Sequence, residues 1–343
     1  MALVASMETP LTHNPANAVT DKLVRINDAQ GRRVVKVLNG RNRPEHSPQW
    51  LASDQPRHWN YWRREAAVYV SEFAQIIAPA KVRLPRVLGI DEREEQVVLT
   101  LEDVQGRSGA ALKPADYPHV CHAWGHAQAL LSAADFDAPW LSQRFVRTYT
   151  DSKGVRYDLL DDEAAWSQAL IRENWPVQLR EGLSFLHARR EELLAWLEAQ
   201  ASAVAHLDFW PNNVFIDNEG WLVLIDLGFV GRGAWAEDVG NFVPDAVFDG
   251  FRAADELPKM TQACLAAYSD GLRSGGAMVD DRLLTKNLYA SAVKYDWLGP
   301  LLLARAGSST QSLYGGAVLD DASYQYAQRG ATLQFLCDWA RRF

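Results

Sequence analysis

The chain opens in β-type pattern. Lys22–Ile26 and Arg32–Leu38 are β-branched runs, and NDAQG lies between them with Gly31 to supply the turn. That arrangement predicts a hairpin. Residues 1 to about 20 read as irregular. Residues 39–58, with Gly40, Pro44, Pro48 and Pro56, read as a polar loop. From Trp59 the apolar period changes to three and four. Trp62, Ala66, Tyr69, Phe73 and Ile76 fall on one face, which predicts one helix over Trp59–Ile77. Arg86–Ile90 and Gln96–Leu101 return to strand character around the acidic turn DEREE. The first hundred residues thus form a small β-rich unit holding one helix.

Past Gly106 the pattern predicts helices over about 116–133, 160–172 and 182–201. A strand-like Val204–His206 follows. The turn Asp217–Gly220 then leads into a short apolar run, Trp221–Ile225, so residues 204–226 read as a hairpin-like insertion. From about 236 the chain reads as helical to Phe343, with no internal repeat.

Composition narrows the class. The 343 residues are 48% hydrophobic and 23% charged, which suits a globular chain in two domains or two lobes. No apolar run approaches the roughly 20 residues that span a bilayer, and the first residues lack a basic leader with an apolar core. A cytoplasmic protein with no membrane partner is expected. Cys121, Cys264 and Cys337 are odd in number and far apart, which fits a reducing compartment. A formal net charge of -8 argues against a nucleic-acid partner.

The chemistry concentrates in HLDFWPNN (206–213) and LIDLG (224–228). Asp208 and Asn213 are five apart, Asp208 and Asp226 eighteen apart, and both carboxylates end short strands. Pro211 keeps the stretch between Asp208 and Asn213 out of a helix. One carboxylate and one amide oxygen suit magnesium. A second carboxylate can take the proton of an attacking hydroxyl. Upstream, Lys36 lies in Val34-Val35-Lys36-Val37 and shares a strand face with Val34 and Leu38. An inward lysine is costly unless an anion meets it.

These segments resemble the HxDxxxxN and DxG pair of the protein-kinase-like superfamily, and most closely its aminoglycoside-phosphotransferase branch, where the loop often reads HGDxxPxN. The likeness covers about residues 20–245. It implies an α+β, bilobal protein-kinase-like fold with a small β-rich N-lobe, 1–104, and a larger, mostly helical C-lobe, 105–343. The hinge would fall at about 101–106. It further implies that Asp208 is the catalytic base and that Asn213 and Asp226 hold Mg2+. Lys36 would meet the phosphates of ATP or GTP, and Glu65 in WRREAAVY would be its partner. The backbone of Glu102 and Val104, in the connector LEDV, would hydrogen-bond the base. Asp238, in AEDVGNF, would brace the catalytic loop, and His206 would be structural. Trp210 is a candidate for the acceptor pocket. The sequence departs from the pattern in one respect, since THNPANAVTD (12–21), where a phosphate-covering loop belongs, has no glycine. The implied reaction is phosphoryl transfer to a hydroxyl of an antibiotic or similar small molecule. The alternatives are a choline or amino-alcohol kinase, a nucleotide-binding pseudokinase, and a metal-dependent hydrolase built on His206, Asp208 and Asp226.

Overall fold

A computed structural model describes residues 7–308 and 321–343. Five antiparallel strands form the N-terminal sheet: β1 (Met7–Pro10), β2 (Thr20–Asp28), β3 (Gly31–Asn39) and, after the first helices, β5 (Val87–Glu92) and β6 (Gln96–Glu102), in the order β1-β2-β3-β6-β5. The β2–β3 hairpin is the expected one. It turns at Gly31, whose φ of 100° lies in the left-handed region that glycine enters without steric cost. Met7–Pro10 does not belong to an irregular leader. It pairs with Val24–Asn27 and covers one sheet edge.

The helix expected over Trp59–Ile77 starts later and is cut in two, α1 (Arg64–Val70) and α2 (Phe73–Ile77). Ser71 makes the cut. Its backbone is extended, its hydroxyl donates to Val68 O at 2.8 Å, and its oxygen accepts from Phe73 N at 3.3 Å. A serine that bonds nearby backbone competes with the helix. One sheet face, Leu38, Val97, Leu99 and Leu101, packs on Trp62 and Ala66 in a small core of its own. Each fully buried leucine there contributes about 1.5–3 kcal/mol.

The short strand β4 (Val82–Arg83) precedes the connector yet pairs in parallel with β10 (Leu222–Leu224). It completes a second sheet, β4-β10-β9-β7, with β9 (Val214–Asp217) and β7 (Gly106–Ser108). The expected hairpin is therefore Val214–Leu224, tighter than 204–226. The strand β8 (Ala203–Ala205) pairs instead with β11 (Gly231–Gly233).

The remainder is helical: α3 (Asp116–Ala133), α4 (Phe145–Asp151), α5 (Glu163–Trp166), α6 (Ala169–Asn174), α7 (Leu179–Ala188), α8 (Arg190–Gln200), α9 (Glu237–Phe248), α10 (Leu257–Ser274), α11 (Asp281–Ala290), α12 (Leu298–Arg305) and α13 (Ala322–Arg342). The helix expected at 116–133 has those bounds. The one expected at 160–172 is broken at Ser167–Gln168, where Gln168 turns extended with ψ 139°. The one expected at 182–201 begins at Leu179 and breaks at Arg189. Apolar periodicity alone does not register such breaks, because the flanking helices bury faces in the same large core. No helix among the described residues is long and apolar enough to cross a membrane.

Candidate active site

Two tight turns set the site. The chain leaves β8 through His206 and Leu207, and Leu207 sits at φ 66°. A non-glycine residue in this region is strained and persists only where its surroundings fix it. The fixing is visible. The Asp238 carboxylate accepts from His206 N and Leu207 N at 2.9 Å each, and from the Trp124 indole N–H at 2.7 Å. The Lys294 ammonium donates to Leu207 O at 2.8 Å and to the Asn241 side-chain oxygen. Both peptide groups of Leu207 are thus clamped. Trp124 stacks on Phe209, with ring centroids 5.7 Å apart, so the loop is held from its apolar side as well.

Asp208 follows. Pro211–Asn213 forms a 3-10 turn that swings Asn213 back, so that its amide donates to Asp208 O at 2.9 Å and to Asp208 Oδ2 at 2.8 Å. With its NH2 so used, Asn213 keeps its oxygen for another partner. Ile225 N donates to Asn213 O at 3.0 Å, which ties the start of the β9–β10 hairpin to its end and fixes Asn213 relative to Asp226. Asp226 is itself left-handed, φ 55°, and its side chain remains 49% exposed to the cleft. The His206 Nε2–H donates to Ile225 O at 3.0 Å. That ring nitrogen is thus spent on the backbone of the hairpin.

From the first sheet, buried Lys36 reaches down to the same place. Its ammonium lies 2.6 Å from Glu65 Oε2 and 2.8 Å from Asp226 Oδ1. Desolvation opposes its charge, but Asp226 and Glu65 outweigh it and hold the ammonium well above its ordinary pKa. Burial likewise opposes the charge of Asp226, yet Lys36 holds this carboxyl below the usual range. Burial pushes the Asp208 carboxyl up, with Lys294 pulling the other way. A carboxylate so desolvated is a stronger proton acceptor than one in water.

Oxygens of Asn213 and Asp226 offer the hard donors that magnesium takes, and phosphate oxygens and water can complete its shell. Among the described residues no three His, Cys, Asp or Glu side chains converge on a metal site.

The connector has a feature that sequence reading missed. Buried Asp103 takes Arg25 of β2 at 3.0 Å and Arg32 of β3 at 2.6 Å, and so ties the connector to the sheet. The Glu102 carboxylate turns to Arg83 at 3.1 Å, and its N–H donates to Arg86 O at 2.9 Å. No described group accepts from Val104 N–H. The glycine-free segment 12–21 is shaped by asparagines instead: Asn14 and Asn17 side chains accept from Ala16 N and Val19 N at 3.0 and 3.1 Å. His13 of that segment lies within electrostatic reach of Asp226. Trp210 is half-buried at the head of the Pro211–Asn213 turn.

Arg64, fully buried beside Glu65, also escaped notice. It donates to five carbonyls, those of Pro56, Trp59 and His58 in the preceding loop, Trp140, and Gly228 in the DLG turn. A buried arginine has no signal of its own in a sequence whose helix carries Arg63 and Arg64 side by side.

No curated protein matches the chain at the sequence level. Among solved structures, the amicoumacin kinase hAmiN in complex with AMP-PNP, Ca2+ and Ami superposes with a TM-score of 0.51 at 12% identity, covering 96% of this chain and 88% of that one. The aminoglycoside phosphotransferase APH(3'')-Id from Streptomyces rimosus gives 0.46 at 16%, covering 84% and 93%. The Plasmodium vivax ethanolamine kinase gives 0.47 at 10%, covering 95% and 81%. These likenesses concern the fold. The sequence profile of the phosphotransferase enzyme family, APH, matches residues 18–275, three quarters of the chain with Lys36, Glu65, Asp208, Asn213, Asp226 and Asp238 inside it, and the chain belongs to that family.

Proposed function

We propose that this phosphotransferase moves the terminal phosphoryl group of ATP or GTP to a hydroxyl of a small molecule, an antibiotic or a similar metabolite, in a magnesium-dependent reaction. The observation that carries the reading is the Lys36 ammonium within 2.8 Å of both Glu65 and Asp226, beside the Asp208–Asn213 pair. Residues 1–104 form the nucleotide-binding lobe and 105–343 the catalytic lobe. The backbone of Glu102 and Val104 meets the base, and Lys36, steadied by Glu65, meets the phosphates. Asn213 and Asp226 would hold magnesium, which would supply neutralisation of phosphate charge. Asp208 takes the proton of the acceptor hydroxyl as it attacks. The rest of the catalysis is positioning, because the clamped Leu207 and the tied hairpin keep these groups from reorganising during transfer. The hAmiN complex with a nucleotide analogue and Ca2+ supports a nucleotide and a divalent cation. The three cysteines, all free and buried, suit a cytoplasmic setting.

The test is nucleotide consumption by the purified protein with magnesium and ATP or GTP against antibiotic and amino-alcohol acceptors, with mass spectrometry for a gain of one phosphate. Product should appear with at least one acceptor, and Asp208→Ala should lower turnover by about 10²–10⁴ while nucleotide still binds. Full activity in that variant would exclude the base role. Nucleotide binding with no transfer to any acceptor would favour a pseudokinase.

A further inference from the structure

Lys153 lies just past α4, and the functional reading makes no use of it. It is 8% exposed, and among the described residues its ammonium meets no hydrogen-bond acceptor and no carboxylate. Three rings surround it. The ammonium stands 3.4 Å from the ring centre of Tyr149, 4.0 Å from that of Trp50 and 4.9 Å from that of Trp297. The rings come from three places: α4, the Pro48–Trp50 turn of the N-terminal region, and the residue just before α12. Ring faces favour a cation, but they leave its three N–H donors without acceptors. Burial drives the amine down to about 6, and Lys294 adds to that. These donors have no acceptor among the described residues, and a ligand that reaches the cage can supply one.

A chain of contacts links the cage to the site. Trp50 O accepts from Ala18 N at 3.0 Å, which fastens the cage to the loop expected over the phosphates. Tyr149 stacks on Phe145 at 5.2 Å, and Phe145 packs on Phe229 at 5.3 Å, three residues beyond Asp226. Lys294 lies 5.6 Å from the Phe145 ring centre and holds Leu207 O, next to Asp208. The Lys153 ammonium is within electrostatic reach of both Lys294 and Asp208. An aromatic wall with two lysines thus runs from Asp226 to the cage. On α9, Asp245 also lies within reach of Asp208, but burial pushes its acid up to about 8, so at neutral pH it offers little negative charge to offset the lysines.

On the transferase reading, we infer that Lys153 selects the acceptor: its caged ammonium receives a carboxylate on the molecule whose hydroxyl is phosphorylated, and polycations are disfavoured there. A hydroxy-carboxylate satisfies the donors that the rings cannot, and its charge opposes that of Lys294 and draws Lys153 into its charged form. A polycation offers no anion to charge Lys153 and would meet the like charge of Lys294 on a desolvated wall.

The experiment compares wild type, Lys153→Met and Lys153→Arg on six acceptors: D-glycerate and D-gluconate, glycerol and myo-inositol, choline and kanamycin. Each is assayed with magnesium and ATP, or GTP where that is the better donor, and nucleotide binding is measured separately by calorimetry. Wild type should prefer a hydroxy-carboxylate to its neutral counterpart by at least about tenfold in kcat/KM. Lys153→Met should erase that preference through KM, with kcat and nucleotide affinity little changed, and Lys153→Arg should keep part of it. Preference for choline or kanamycin overturns the inference. So does an equal loss on every acceptor in Lys153→Met, the mark of a purely structural lysine. Nucleotide binding without transfer to either hydroxy-carboxylate overturns it too and leaves the donor half of the functional reading standing. Failure of wild type to bind nucleotide at all would strike at that reading itself.

Discussion

Leu207 shows how a single strained residue can be made into a positioning device. Its left-handed backbone is fixed by Asp238 on one side and Lys294 on the other, so the direction of Asp208 follows from residues on two other elements. Asp238→Ala strips acceptors from two backbone N–H groups and one indole in a buried setting. It should cost about 2–4 kcal/mol of stability, since buried unsatisfied donors are individually expensive, while changing nucleotide affinity less. Denaturant unfolding beside nucleotide titration checks this, and an unchanged unfolding midpoint would exclude the bracing role. Asp238 was legible from its place after the DLG turn. Trp124 and Lys294 were not, because they come from α3 and the segment before α12, and nothing local in either relates them to residues 206–208.

Among elements, the turn Gly109–Ala111, after β7, lies tight against the turn Pro211–Asn213. A Cβ added at Gly109 would lie 1.4 Å from Pro211 O. No side-chain rotation relieves a clash with backbone, so the two turns must part. Gly109→Ala should therefore destabilise by about 1–3 kcal/mol and lower kcat by disturbing Asn213, with donor KM less affected. Steady-state kinetics at saturating nucleotide would reveal it, and wild-type kcat would mean that the turns are free to separate. Strand and helix types were mostly readable from periodicity. The breaks at Ser71, Gln168 and Arg189 were not, since an interrupted helix keeps its apolar spacing when both pieces face one core.

For the molecule as a whole, the N-terminal and C-terminal parts are joined by buried charge. Arg64 binds carbonyls on the loop before α1, on Trp140 and on Gly228, and burial lowers its guanidinium to about 9. Arg64→Lys keeps a cation but loses the planar fork that serves several carbonyls at once. It should cost about 3–5 kcal/mol, measured by chemical denaturation, and a loss under about 1 kcal/mol would mean that the carbonyls find water instead. Asp245 gives a pH signature. Burial, opposed by Lys294, raises its acid from the ordinary 3.8 to about 8. The folded state thus holds a proton that the unfolded chain releases. Asp245 favours folding below about pH 4, and that advantage is lost as pH rises towards about 8. Asp245→Asn should be more stable than wild type at pH 8 by at least about 1 kcal/mol, each pKa unit being worth about 1.4 kcal/mol, with the difference vanishing near pH 4. Melting curves across that range decide it, and a constant difference would deny the shift.

The sequence by itself determined the β-then-α order, the β2–β3 hairpin and the spacing of Asp208, Asn213 and Asp226, because turn chemistry and short-range spacing are local properties. It also marked Lys36, since a lysine on an apolar strand face needs an anion. The motif likeness named Glu65 as that anion, and only the tertiary structure decided that Asp226 meets the same ammonium, that β4 joins β10 rather than the first sheet, that Asp103 gathers Arg25 and Arg32, and that Lys153 is enclosed by rings from three segments. Each of these joins residues far apart along the chain, and such contacts arise from how the whole core packs, which no local pattern encodes.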